Sequence, residues 1–370
     1  MTIASAKIVR TLLDLGAIDA EAVVAGDLLI ADNTRRHRNF RVMRRSGPGC
    51  FVKQVQPGHA MADQSLHREA MCCWLAAHDA RFAALRPLVP GFRAYDAARR
   101  TLVLELLPDS ENLSEHHDRV GRFPVEIGEL LGATLGRAHA QVQVPPAQAP
   151  GLEMFPRAVP WILSVHTLAA AQFERLSAAN AQILAIVRQY PEFQSALDAL
   201  RARWTVDGLM HGDMKWDNCL VHAGPAVPGG LALRIVDWEL ADFGDVGWDV
   251  GAIFQSYLGA WILSMPAHEP ASAEALVDRA TRPIESMQPA IAAFWRRYLE
   301  VRGARGGSEG ELLVRCVQYA AARMIQTAYE HMTYAPSLSA ASLRLLQVSV
   351  NILTRPRDAI RGLLGLGDAL

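Results

Sequence analysis

The sequence predicts an α+β protein of two unequal lobes, a small five-stranded antiparallel N-lobe with one helix and a larger, mostly helical C-lobe. Three observations predict it. Five short β-type segments, separated by turn residues, and one helical pattern fill residues 1–107. From residue 108 helical spacing dominates, interrupted by one hairpin pattern. The chain has 370 residues, 51% hydrophobic and 20% charged, more than one small core needs.

In order, residues 4–20 read as a helix leading into three strands at about 26–32, 38–45 and 50–56, with "SGPG" at 46–49 as a turn. "MADQSLHREAMCCWLAAH" places Leu66, Ala70, Cys73 and Trp74 at helical spacing. "FRAYD" and "TLVLELL" supply the last two strands, ending at Pro108. "PVEIGELLGATLGRAHAQV" puts Ile127, Leu130, Leu131 and Leu135 on one helix face. "PPAQAPG" at 145–151 is a breaker, and Ala-rich helices are expected from there to about 204. A hairpin is expected at 218–238 around the turn "PAVPGG", and helices from there to the end, with breaks near "SMPAHEPAS", "GARGGSEG" and "YAPS".

Lys plus Arg is 37 against Asp plus Glu 38, a formal charge of −1, which offers no general attraction for nucleic acid or an anionic membrane. The five cysteines, Cys50, Cys72, Cys73, Cys219 and Cys316, form no C-x-x-C pair and suit apolar fillers in a reducing compartment. The N-terminal segment lacks an apolar signal core, and the stretch around "YLGAWILSMP" is too short to cross a bilayer. The expectation is a cytoplasmic protein.

The segment "RIVDWELADFGDVGWDVG" carries Asp237, Asp242, Asp245 and Asp249, and upstream lies "LMHGDMKWDNCLV", residues 209–221. Asp213 is a loop carboxylate able to take a proton from an acceptor hydroxyl. Asn218 offers a neutral carbonyl oxygen and Asp237, nineteen residues later, a charged one, both hard ligands suited to Mg²⁺. Two such ligands that leave other positions to phosphate and water are the usual arrangement for Mg²⁺ in phosphoryl transfer. Lys53 in "CFVKQV" is a lone lysine inside an apolar strand, a costly position unless paired, and Glu69 on the next helix can pair with it.

"HGDMKWDN", "VDWE" and "GDVGWDV" together resemble the aminoglycoside phosphotransferase and choline kinase family of protein-kinase-like fold, whose pattern is H-G-D-x-x-x-x-N, I/V-D-W-E, G-D-x-x-x-D. The resemblance implies an ATP- and Mg²⁺-dependent kinase with Asp213 as catalytic base and Asn218 and Asp237 as metal ligands. It makes the Lys53–Glu69 ion pair the holder of the α and β phosphates. Glu105 and Leu107 in "LVLELLP" match the hinge whose backbone meets the adenine edge, with Leu104 behind it. Asp249 matches the carboxylate that braces the catalytic loop, and His211 reads as loop structure. The literal Asp242-Phe243-Gly244 is a decoy, since Gly244 opens the G-D-x-x-x-D element, and Asp245 shapes the turn. Lys215 stands where protein kinases carry the lysine of H-R-D-L-K, placed to offset charge on the transferring group, or it is a solvated loop lysine. The loop at 33–39, within "ADNTRRHRN", departs from the family by lacking glycine; its basic residues grip phosphate, bind an acidic partner or are only solvated.

The expected organisation is an N-lobe of residues 1–107 and a C-lobe of 108–370, with the catalytic loop at 209–221 and the metal segment at 235–249. A helical insert (about 151–204) and the C-terminal helices (about 255–350) would choose the acceptor; they hold Trp161, Trp261, Trp295 and Tyr329, residues that serve a core as readily as a substrate wall. The expected reaction moves the γ-phosphoryl group to a small-molecule hydroxyl. Two alternatives stand beside it: a peptide Ser/Thr kinase of lanthipeptide or thioamitide type working with a partner lyase, and a pseudokinase scaffold, against which the presence of Lys53, Asp213, Asn218 and Asp237 weighs.

Overall fold

The computed structural model describes residues 3–369 except 34–37, 57, 59, 143, 146–148, 150, 174–175, 225–229, 268–271 and 304–307. In chain order it forms α1 (Ile3–Asp14), α2 (Ala20–Val24), β1 (Leu28–Asp32), β2 (Arg38–Arg44), β3 (Cys50–Gln54), α3 (Ala60–His78), β4 (Phe92–Asp96), β5 (Thr101–Glu105) and β6 (Glu111–Asn112). There follow α4 (Leu113–Val120), α5 (Val125–Gln141), α6 (Ala178–Gln189), α7 (Pro191–Ala202), β7 (Gly208–Met210), β8 (Cys219–Ala223), β9 (Leu231–Ile235) and β10 (Asp242–Gly244). The remainder is helical: α8 (Gly247–Leu263), α9 (Ala273–Asp278), α10 (Gln288–Arg302), α11 (Glu309–His331), α12 (Ala340–Thr354) and α13 (Pro356–Gly362).

The chain divides into two compact units. Unit 1 is Met1–His116, Pro145–Phe155 and Asp217–Ala241; unit 2 is His117–Val144, Pro156–Trp216 and Asp242–Leu370. The β8–β9 hairpin thus groups with the N-terminal strands, far from it in sequence.

In unit 1 the five expected strands form one antiparallel sheet in the order β1-β2-β3-β5-β4. Alternation along β2 and β3 sends Phe40, Val42, Cys50 and Val52 to one face, where they bury against Ile8, Val9 and Leu12 of α1. Lys53 has the opposite parity. The first helix ends at Asp14 rather than near residue 20, because Gly16 takes a left-handed φ of +65° that closes the helix. On α3, Leu66, Ala70 and Cys73 are buried, whereas Trp74 is 40% exposed and stacks on His78 at 5.0 Å.

Unit 2 rests on two close helix pairs. On α5, Gly128, Gly132 and Gly136 lie one above another, and a Cβ on any of them would meet the backbone of α10: Ala290 O at 2.2 Å, Phe294 O at 2.4 Å, Tyr298 O at 2.9 Å. Gly251 on α8 meets Cys316 O of α11 at 2.6 Å in the same way, which draws α11 against the start of α8. The residues between 156 and 177 do not form the expected α-helices; their described part has only 3₁₀ turns, at Trp161–Ser164 and Ala170–Gln172. Pro156 and Pro160 interrupt the pattern and Arg157 sits at φ 57° between them. Helix resumes at α6, capped by Ser177, whose side chain accepts from Asn180 N. All five cysteines are buried and none is in a disulfide, and no helix among the described residues is long and apolar enough to cross a membrane.

Candidate active site

Unit 1 holds Lys53, Glu69 and Asp237 together. Lys53 Nζ lies 2.6 and 2.7 Å from Glu69 Oε1 and Oε2 and also donates to Asp237 Oδ1. One ammonium therefore serves two carboxylates. Burial works to lower the Lys53 pKa, but attraction to Glu69 and Asp237 outweighs it and the net shift is upward. Glu69 is pushed up to about 7, by burial first and by repulsion from Asp237 and Glu239, against the pull of Lys53. The two acids raise the ammonium against its burial, whereas Glu69 rises chiefly through its own burial with the repulsion of its neighbours added.

The β8–β9 hairpin brings Asn218 and Asp237 to one end: Cys219 pairs with Ile235, and beyond that pair Val236 N donates to Asn218 O at 2.9 Å. Asn218 is buried, while the Asp237 side chain is 46% exposed. Asp237 is held at φ 63°, ψ 53°, a left-handed conformation costly for a non-glycine residue and concentrated at functional sites. Among the described residues no group of three His, Cys, Asp or Glu side chains could by itself hold a metal. The donor set available is one carboxamide and one carboxylate that already draws a cation, Lys53. This chemistry fits a hard divalent ion that takes its other ligands from phosphate and water.

Unit 2 holds His211 to Lys215, the first part of the expected catalytic loop. β7 pairs with β10, Met210 opposite Asp242, and delivers the chain to His211-Gly212-Asp213. Asp249, in the first turn of α8, accepts from His211 N at 2.6 Å and Gly212 N at 3.0 Å. Trp248 Nε1 donates to Gly212 O at 3.0 Å, and His211 Nδ1 accepts from Asp213 N at 3.3 Å. Burial works to raise the Asp249 pKa; His139, His211 and the backbone donors overcome it and hold the carboxyl below its ordinary range. Asp249 thus takes the amides of two successive loop residues, and His211 is bonded within the same loop.

Asp213 itself carries two cations. Lys215 Nζ is 2.7 Å from its Oδ2, and Arg323 Nη2 is 3.0 Å from its Oδ1. Arg323 also donates to Gly212 O at 3.1 Å and lies 5.2 Å over the Trp248 ring. Burial pushes Asp213 up, yet Arg323 and Lys215 pull harder and keep it below the ordinary carboxylate range. Lys215 is raised in turn: Asp213, with Glu330 adding to it, exceeds the burial penalty.

Sequence reasoning missed Arg323 and also His139, whose Nε2 is 3.5 Å from Asp249 Oδ2 while its Nδ1 is 3.1 Å from Tyr298 Oη. The one signal for Arg323 is an arginine inside the apolar run "AAARMI". Asp242 ties two segments together, because its carboxylate accepts from Arg157 N and Ala158 N, both at 2.8 Å. Asp245 is fully buried, accepting from Gly247 N and Tyr319 Oη at 2.9 Å each. Glu105 accepts from Gly91 N through Oε2 at 3.0 Å, and Leu107 O accepts from Ser110 at 2.9 Å. Of the basic loop, residues 34–37 lie outside the described residues.

The sequence pattern of the phosphotransferase enzyme family matches residues 31–290, well over half of the chain. The chain belongs to that family. Among solved structures it is similar to an amicoumacin kinase in complex with AMP-PNP and Ca²⁺ (13% identity, 92% of this chain and 95% of that one, TM-score 0.52). It is similar also to a choline kinase from Streptococcus pneumoniae (13%, 94% and 99%, TM-score 0.52). A choline/ethanolamine kinase family protein from Mesorhizobium loti matches at 15% identity over 97% and 98% of the two chains, again with a TM-score of 0.52. Identities this low speak to the fold, which is the α+β, two-lobed protein-kinase-like fold. No curated protein matches the chain. As a member of the family the protein is an enzyme, a kinase.

Proposed function

We propose that the enzyme transfers the γ-phosphoryl group of ATP, with Mg²⁺, to a hydroxyl of a small molecule. The observation that carries this reading is Asp213 held ionised by Lys215 and Arg323 on a loop braced by Asp249. A carboxylate so held orients a hydroxyl for attack and receives its proton late, which suits the loose transition state of phosphoryl transfer. Lys215, at 40% exposure the freer of the two cations, yields Asp213 Oδ2 to the acceptor hydroxyl and turns its charge to the phosphoryl oxygens.

Lys53, fixed by Glu69, orients the nucleotide phosphates. Asn218 and Asp237 would hold Mg²⁺, which when bound offsets charge on the phosphates. The Leu107 amide, which has no hydrogen-bond partner among the described residues, suits an adenine nitrogen. For the acceptor, unit 2 offers Trp161, Phe173 and Tyr329: Tyr329 lies 5.4 Å from Trp161 and 5.7 Å from Phe173. Trp161 is 39% exposed, and Glu330 follows on α11, two turns beyond Arg323 on the same helix face. An organic molecule with a flat or apolar face is the acceptor such a surface fits.

The test is a screen of hydroxyl compounds and short Ser/Thr peptides with γ-labelled ATP, with and without Mg²⁺. Label on a small molecule, dependent on Mg²⁺ and absent in Asp213→Asn, is the expected result. Label on the peptides alone would replace the acceptor class, and equal ATP consumption by the variant would overturn the role of Asp213.

A further inference from the structure

The face of the unit 1 sheet opposite Lys53 carries a second feature. The core between α1 and the sheet runs through Phe40, Val42, Cys50 and Val52 and ends beside Arg38 and Gln54, which have the same strand parity. There the gap opens into a cavity of about 550 Å³ whose lining includes Lys7, Arg10, Arg38, Arg99 and Arg100, with Asp14 as its single acid. Gln54 Nε2 donates to Thr101 Oγ1 at 3.2 Å beneath it. A chain of formal charge −1 thus concentrates five cations around one concavity.

The local acids do not balance them. Arg99 pairs with Asp14 at 2.8 Å and with Asp96 at 3.4 Å, and Arg100 with Asp63 at 2.8 Å. No carboxylate among the described residues pairs with Lys7, Arg10 or Arg38, although Arg38 also lies 5.7 Å over the Phe40 ring. Arg100 is held in place at φ 49°, a left-handed conformation. Like charges gathered on one concave wall repel one another and focus an anion-attracting potential into it. The volume is that of a small-ligand site, and four of the five cations are guanidinium forks, the donors that match phosphate oxygens in pairs.

We propose that this cavity is a binding site for a small molecule carrying two or more phosphate groups, separate from the nucleotide site. Lys7 and Arg10 approach from α1, and Arg38, Arg99 and Arg100 from the strand ends.

The full chain would be titrated calorimetrically with inorganic tripolyphosphate, with excess AMP-PNP present to fill the nucleotide site. The expected result is binding that persists under AMP-PNP, weakens at least tenfold in Lys7→Ala/Arg10→Ala, and returns in the charge-preserving Lys7→Arg/Arg10→Lys. AMP-PNP affinity should stay within twofold in all three proteins. Ala98→Glu, which adds a carboxylate at the exposed turn of the lining, should abolish the tripolyphosphate isotherm. Loss of all tripolyphosphate binding under AMP-PNP, or identical isotherms in wild type and both charge-altering variants, would overturn the proposal and leave the cluster a solvated face.

Discussion

Two regions of the molecule solve one electrostatic problem with opposite signs. In unit 1 a single ammonium, Lys53, is shared by two carboxylates, Glu69 and Asp237. In unit 2 a single carboxylate, Asp213, is shared by two cations, Lys215 and Arg323. Formally the first cluster carries −1 and the second +1. Burial works to raise both Glu69 and Asp213, yet Glu69 moves up to about 7 and Asp213 moves down. The difference lies in the count of neighbours: a second acid adds to the burial penalty and a second base reverses it. The negative surplus suits a place where a cation is to be gathered, and the positive surplus a place where phosphoryl oxygens are to be met.

Removing the shared carboxylate of unit 2 should have the largest effect. Asp213→Asn keeps the shape and two hydrogen-bonding atoms but neither the charge nor the proton acceptor. We expect kcat to fall by roughly 10²–10⁴, the range of general-base loss, with nucleotide affinity nearly unchanged. Equal losses in nucleotide affinity and kcat would merge the two clusters into one function and break the comparison.

Removing the brace comes next. Asp249→Ala, at a fully buried side chain, leaves His211 N and the half-buried Gly212 N without their acceptor. Two hydrogen bonds to a charged group are lost, so denaturant unfolding should report a destabilisation of about 3 kcal/mol. A change below about 1 kcal/mol would mean that the loop is held by Trp248 and Arg323 instead.

Arg323 sharpens the comparison, because it is the cation that makes unit 2 the inverse of unit 1. Asp213 is depressed in the folded state, so its ionised form persists as pH falls below the ordinary carboxylate range. Arg323→Gln removes the first of the two cations that depress it. The acid limb of kcat/KM should move to higher pH, and kcat should fall by about tenfold to a hundredfold as the carboxylate loses its fixed orientation. Arg323→Lys, which keeps the charge but only part of the fork, should lie between. An unmoved acid limb would assign the low Asp213 pKa to Lys215 alone.

What could be read in the sequence was what is local. Strands β1 to β5 were legible because short apolar runs stand between Gly-, Pro- and Asn-rich turns, and the hairpin ends at Asn218 and Asp237 because each lies in a compact motif. Arg323 was not, since 110 residues and two changes of unit separate it from Asp213 and nothing but folding relates them. His139 was hidden in the same way on α5, a helix whose apolar periodicity draws attention to its leucines. Among the described residues between 156 and 177 the expected helices failed for a local reason, Pro156 and Pro160, and for a tertiary one that the sequence does not disclose: Asp242 captures the amides of Arg157 and Ala158 and commits them to a turn.

The smallest effect tests the unit 1 side of the comparison through pH. Glu69 stands at about 7 against an ordinary 4.5. Between those values the folded protein holds a proton there that the unfolded chain has released, so the slope of stability with pH is negative. The stabilising contribution is complete below about 4.5 and lost as pH rises through about 7. Glu69→Gln cannot titrate, so the wild type should lose stability relative to the variant between pH 5 and 8, read as converging or crossing thermal midpoints. Parallel curves would mean that Lys53 neutralises Glu69 outright and that Asp237 alone carries the surplus charge. A wild type that gained relative stability with rising pH would place Glu69 below its ordinary range, where the ammonium wins, and the two clusters would then differ in composition but not in how they hold their protons.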